Sequence, residues 1–416
     1  MGAFQNTLIV VSIVLEIMVL AYLEFKAWKT IYTPLNFLML PYLIVLIFTV
    51  SVSGRMGFVE FYYPSIFVWN VGLLLFAIPS YILATLLPVE KRSGEKTFKE
   101  VVAPQVVTYL ALFVCLLFLL RIRQTMATSA GMIGSDEFGE DFCGSGLWAH
   151  LRKLTMPLLV LLIYSANRKR VLEWFLIVIL LAINFLYQVK GWIIIPCVCA
   201  MAMRLYTGKT RLTFRVFLFA VLGGFLVFTC SYLLALVLAG TGGIWQIMKF
   251  TFGHFFHYFT SGTFGLSMDI LHSFPDKGPF DVIICPFVNI ANQLVGSGEI
   301  VSPINPYYYH SGIDLTNVRT FFGTLLVYSN PFQFVLYTWF LSTLLYLLKI
   351  ASLKFNSVYL AMVLFFECAL LAMGWFEFYF FHLDIIEVPF LTGCIYLLVC
   401  FMKSNNEVTH VESLKI

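Results

Sequence analysis

Long uninterrupted apolar runs constrain this chain more than any other feature, and one break in them, from Gly240 to Thr320, gathers its polar chemistry. A helix needs about 20 apolar residues to cross the hydrocarbon core of a bilayer. Backbone groups in hydrocarbon must be satisfied within the spanning element, so continuous runs mean helices. A barrel would instead show short alternating segments. Eleven runs fit spanning helices: 5–23, 35–52, 66–87, 104–122, 154–166, 171–188, 191–206, 213–239, 331–348, 356–376 and 385–402. Only 12% of the 416 residues are charged and 60% are hydrophobic, against about 25% charged in ordinary soluble domains. The expected fold class is an all-α polytopic membrane protein with about 11 transmembrane helices (10–12) and one large external loop containing short helices. The expected divisions are helices 1–8 over 1–239, the loop over 240–330, helices 9–11 over 331–402, and a cytoplasmic tail over 403–416. Met1–Leu20 has no basic leader region and no small-residue cleavage site, so it reads as a retained first helix.

Basic residues set the orientation, because cytoplasmic loops accumulate Lys and Arg. With the N-terminus outside, the inner loops and tail hold seventeen of the 26 basic residues, in groups such as Lys91–Lys99, Arg168–Arg170 and Arg204–Arg215. The outer loops hold Arg55, Arg121, Arg123, Arg152, Lys153, Lys190, Lys249, Lys277 and Arg319, spread over more sequence. The break at 240–320 is therefore expected on the outside. The net charge of +4 belongs to the inner loops; it suits anionic lipid rather than nucleic acid.

Soluble chemistry is missing from the motifs. No Gly-rich phosphate loop ends in Lys-Ser/Thr, and neither G-x-S-x-G nor H-E-x-x-H occurs. Seven of the nine cysteines lie in apolar spans, where Cys acts as a small hydrophobe. Cys143 and Cys285 fall in external loops, where a disulfide between them is open. The spans carry few polar residues (Glu16, Asn70, Asn184 and Glu367), fewer than a lined transport path requires.

Polar residues collect in and around the break. His254 and His257 stand three apart and share a helix face, which admits a zinc pair or an interfacial aromatic helix; Asp269 and His272 repeat the spacing and read as a local hydrogen bond. Arg319, just before the ninth span, must meet water, headgroups or an anion, and snorkelling is the plain alternative. Lys190, Arg55, Arg121 and Arg123 also lie at outer ends of spans. Guanidinium groups grip phosphate oxygens bidentately. Tyr307, Tyr308 and Tyr309 can stack on sugar rings or form an interfacial belt. A lipid-linked diphosphate carrying sugars would use all of these together.

Three stretches resemble the bacterial oligosaccharide repeat-unit polymerases, the O-antigen polymerase (Wzy) family: VKGWIIIPCVCAMAMRL at 189–205, HYFTSGTFGLSMDI at 257–270, and TNVRTFFGTLLVYSNPF at 316–332. The family's third motif often continues into Asp-Phe-Gly, where this chain has Tyr328, Ser329 and Asn330. The resemblance covers roughly residues 185–335 and the overall topology. It implies a GT-C-like membrane glycosyltransferase of the bacterial inner membrane, needing no cofactor and no metal. Its substrate would be an undecaprenyl-diphosphate-linked oligosaccharide, joined into O-antigen or capsule at the periplasmic face, with a chain-length regulator as a further partner. On that reading Arg319 stabilises the departing diphosphate with Lys190, Arg55, Arg121 and Arg123 behind it, and His257, His310 or Asp314 serves as base. An O-antigen ligase and a lipid-linked oligosaccharide flippase are the alternatives.

Overall fold

The computed structural model describes residues 3–87, 98, 104–131, 133, 135–167, 169–187, 189, 191–216, 218, 222–226, 229–230, 244–273 and 278–413. Its described residues form helices α1 (Ala3–Trp28), α2 (Pro34–Val52), α3 (Ile66–Leu86), α4 (Pro104–Thr128), α5 (Asp136–Cys143), α6 (Gly146–Ser165), α7 (Val171–Leu186) and α8 (Gly191–Tyr206). These are followed by α9 (Ile244–Leu271), α10 (Cys285–Leu294), α11 (Phe321–Tyr328), α12 (Pro331–Phe355), α13 (Val358–Ala372) and α14 (Asp384–Ser413). A two-stranded antiparallel pair, β1 (Tyr309–His310) and β2 (Leu315–Thr316), aligns Tyr309 with Thr316 and His310 with Leu315.

Among the described residues, seven helices are long and apolar enough to cross a membrane: α1, α2, α3, α4, α6, α12 and α14. The protein is a polytopic membrane protein. Helices α7, α8 and α13 are apolar but shorter, and each coincides with a predicted span. The predicted span at 213–239 falls mostly outside the described residues.

The segment 240–330 departs from the expected loop with short helices. Residues 244–271 form one 28-residue helix, α9, which packs against α2. That stretch contains no proline, so its scattered Gly, Ser and Thr interrupt the apolar pattern without breaking the backbone hydrogen bonds.

The chain divides into two compact units. The first comprises 1–94, 243–354 and 367–383. Trp69, fully buried, stacks on Tyr42 at 3.4 Å and donates from its indole nitrogen to Thr320 Oγ1 at 3.0 Å. Thr320 also caps α11 through Gly323 N at 3.2 Å, so one hydroxyl fixes where the chain enters that helix. Three charged side chains of its spans have partners: Glu24 accepts from Tyr346 at 2.9 Å, Lys349 donates to Tyr32 O at 2.8 Å, and Asn70 donates to Glu16 at 2.5 Å. The second unit comprises 95–242, 355–366 and 384–416, with α6 packed against α4, α7, α8 and α14. Arg204 donates to Ile163 O at 2.9 Å and Tyr164 O at 3.2 Å, closing the carbonyl end of α6. Cys143 and Cys285, considered for a disulfide, lie buried as free thiols, and Cys285 donates to Phe381 O at 3.1 Å.

Candidate functional site

Helix α9 carries one continuous polar and small-residue stripe: His254, His257, Ser261, Gly265, Asp269 and His272. Steps of three and four place these residues on a single helix face. The segment 309–319 lies along that face and satisfies it residue by residue. His254 Nε2 meets Asp314 Oδ2 at 3.1 Å, and His257 Nδ1 meets Ser311 Oγ at 2.8 Å. Thr316 Oγ1 donates to Ser261 O at 3.5 Å, and Arg319 pairs with Asp269. At the end of the stripe the His272 ring stacks on Tyr309 at 5.8 Å.

Two glycines make the fit possible. A Cβ at Gly265 would lie 2.8 Å from Arg319 Nη1 and would collide with the Val318 carbonyl. Gly312 has φ near +100° and sits against the Gly57 carbonyl, so it turns the hairpin where no side chain fits. Ser311 O accepts from Val59 N at 2.9 Å, which ties the turn to the segment before α3.

Arg319 is 2% exposed, and both Nε and Nη2 donate to Asp269, the second at 3.1 Å. Its guanidinium also lies over the Tyr309 ring at 4.9 Å. The cation expected to be open to an anion is thus neutralised inside the fold. Burial raises the Asp269 carboxyl above the ordinary carboxylate value, and the guanidinium beside it offsets part of that rise. Asp269, read from sequence as a local partner of His272, is the residue that Arg319 needs.

His257 is 3% exposed and held by Ser311. Burial leads the shift that carries its pKa down to about 4; His254 and His310 add to the shift and Asp314 opposes it. The ring is buried and weakly basic, so His257 is a poorer proton acceptor at neutral pH than a histidine open to water. Unfolded His titrates near 6.5. The unfolded state therefore binds more protons between pH 4 and 6.5, so this contribution is complete above 6.5 and is lost as pH falls toward 4. The amount is about 3 kcal/mol. His257→Asn should remove it, so the gap in unfolding free energy between parent and variant should narrow from pH 7 to pH 4. A gap independent of pH would show that His257 titrates alike in both states.

The rim of the seam is more open. The Asp314 side chain is 42% exposed; its Oδ1 accepts from Leu315 N at 2.7 Å while Oδ2 faces His254, whose side chain is 13% exposed. This is a held carboxylate–imidazole pair reached by water. His310 is exposed and its Nδ1 accepts from Gly312 N at 2.9 Å. Tyr307 and Tyr308 are exposed beside the hairpin, whereas Tyr309 is drawn into the Arg319 stack. His254 and His257, considered as a zinc pair, are engaged by Asp314 and Ser311.

Arg55 belongs to the same unit and is exposed in a turn. Arg121, in the second unit, spends Nε on Phe142 O at 3.1 Å and Nη2 on Asp141 O at 2.5 Å, so it holds α5 rather than standing open to a diphosphate. Arg123 is exposed in α4, and Lys190 lies outside the described residues.

A family described as "Family of unknown function (DUF6337)" matches residues 57–406. No curated protein and no solved structure matches the chain.

Proposed function

The chain belongs to the DUF6337 family, and we propose that it is a membrane glycosyltransferase that polymerises oligosaccharide repeat units carried on a lipid diphosphate. The observation that carries this reading is the half-open His254–Asp314 pair, on a segment that also exposes Tyr307 and Tyr308, in a chain of apolar helices. A lipid-linked substrate reaches such a place from the bilayer, and its sugars meet aromatic faces and a proton acceptor there. His254 takes the proton of the acceptor sugar hydroxyl and Asp314 stabilises the imidazolium. The hydroxyl oxygen bonds to the anomeric carbon of the donor chain as the bond from that carbon to the diphosphate oxygen breaks. The diphosphate leaves with the electron pair, and exposed Arg55 is a cation of this unit that can meet it. Arg319 and Asp269 position the stripe rather than touch the reacting atoms.

Deleting the gene in its source bacterium and resolving surface and carrier-linked glycan on a gel tests the reading. The expected result is an acceptor bearing a single repeat unit. Full-length polymer left on the carrier would instead identify a ligase, and loss of all exported glycan would identify a flippase.

A further inference from the structure

The second unit holds a buried arginine whose hydrogen bonds are missing. Arg152, in the second turn of α6, is 3% exposed, and its Nε and Nη1 are buried without an acceptor. The guanidinium lies over the Tyr187 ring at 4.0 Å, which satisfies its flat face and leaves Nε and Nη1 without acceptors. Snorkelling does not explain it, because those atoms are covered by protein. Lys153, the next residue, reaches Glu387 Oε2 at 2.9 Å and Asp384 Oδ2 at 3.6 Å, while His150 holds Glu387 Oε1 at 2.6 Å. Asp384 Oδ1 remains buried without a donor. Arg152 and Asp384 both act electrostatically on Tyr187, as does exposed Glu140, which places them in one neighbourhood.

Arg152 and Lys153 face Asp384 and Glu387, with exposed Glu140 adding one more acidic group nearby. Hydrogen bonding is incomplete on both sides, since donors lack acceptors on one and an acceptor lacks a donor on the other. An anion would serve Arg152 but add charge beside Asp384. Hydroxyl groups serve both, because their oxygens accept from a guanidinium while their hydrogens donate to a carboxylate. We propose that Arg152 and Asp384 form a binding site for a neutral hydroxyl-rich group of the saccharide class. The site goes beyond the sugar-transfer reading, and its binding is measured without any polymerisation, so either can fail alone.

Saturation-transfer NMR on the full-length protein, in a detergent without a sugar headgroup, tests it. The probes are methyl α-glucopyranoside, methyl β-galactopyranoside and N-acetylglucosamine, with inorganic pyrophosphate as the charged comparison. At least one glycoside should bind the parent. Its Kd should rise about tenfold or more in both Arg152→Met and Asp384→Asn, as expected for a lost hydrogen bond to a charged group. The unliganded Arg152→Met protein should melt no lower than the parent, since two buried donors that lack acceptors have been removed. Failure of all three glycosides to bind, binding undiminished in the two variants, or binding of pyrophosphate alone would overturn the assignment.

Discussion

Asp269→Ala is expected to cost the folded protein about 3–5 kcal/mol, the usual penalty for stranding one member of a buried ion pair. Arg319 is 2% exposed and directs two of its nitrogens at that carboxylate, so the variant leaves a charged guanidinium with neither water nor counterion. Arg319→Ala strands Asp269 in the same way. Arg319→Lys is no rescue, because one ammonium cannot reproduce the paired bonds and the stack on Tyr309. The double variant Arg319→Met with Asp269→Leu should recover most of the stability, since a buried pair exchanged for apolar groups is often neutral. Thermal unfolding of detergent-purified protein reads all four, and an Asp269→Ala protein as stable as its parent would show that the pair does not hold the fold. The double variant also separates position from chemistry. Polymer made by that protein assigns the pair to holding the segment 309–319 on α9. Absence of polymer from a stable double variant would return Arg319 to the reaction.

The spanning helices were legible because each is a local fact: an apolar run of sufficient length, read without knowledge of its neighbours. Helix α9 was less so, since its aromatic residues and three glycines, at 253, 262 and 265, resemble the composition of a structured loop. Two of the glycines permit close approach: Gly262 admits the Phe376 carbonyl and Gly265 the Val318 carbonyl. The stripe from His254 to His272 was present in the spacing, and reading its steps of three and four beyond the two local pairs would have shown a helix face in search of a partner. What occupies that face was not in the spacing. Asp269 meets Arg319 across 50 residues of sequence, and no periodicity carries that pairing. Arg319 consequently looked like an open cation when it is a closed one. Arg152 went the other way: it passed as one of several outer cations, and its missing acceptors appear only once α6 lies at the centre of its unit.

The same closure divides the polar segment into a buried half and a half open to water. Toward Asp269 the seam is dry and paired, and toward Asp314 it meets water. Burial depth, rather than residue type, therefore distinguishes His257 from His254 although they stand one turn apart. A base must exchange its proton with substrate and then with solvent, and the outer pair has that access where His257 does not.

Asp314→Asn is expected to lower polymer formation by about 10²–10⁴-fold, the range over which positioned proton transfer accelerates a reaction. The change preserves shape. Asparagine keeps an oxygen for Leu315 N, so the hairpin should form and the melting temperature should stay with the parent. What it removes is the negative charge that supports an imidazolium at His254. His254→Gln should fall by a similar factor, and the double variant by little more than either, because residues acting as one unit do not lose activity additively. Incorporation of labelled repeat units in membranes bearing each variant, normalised to folded protein, measures all three. Additive losses would place His254 and Asp314 in separate roles. Undiminished polymer in a folded Asp314→Asn protein would reduce the pair to a clasp for the hairpin, and the base would then be sought at exposed His310, four residues away on the other arm of the same turn.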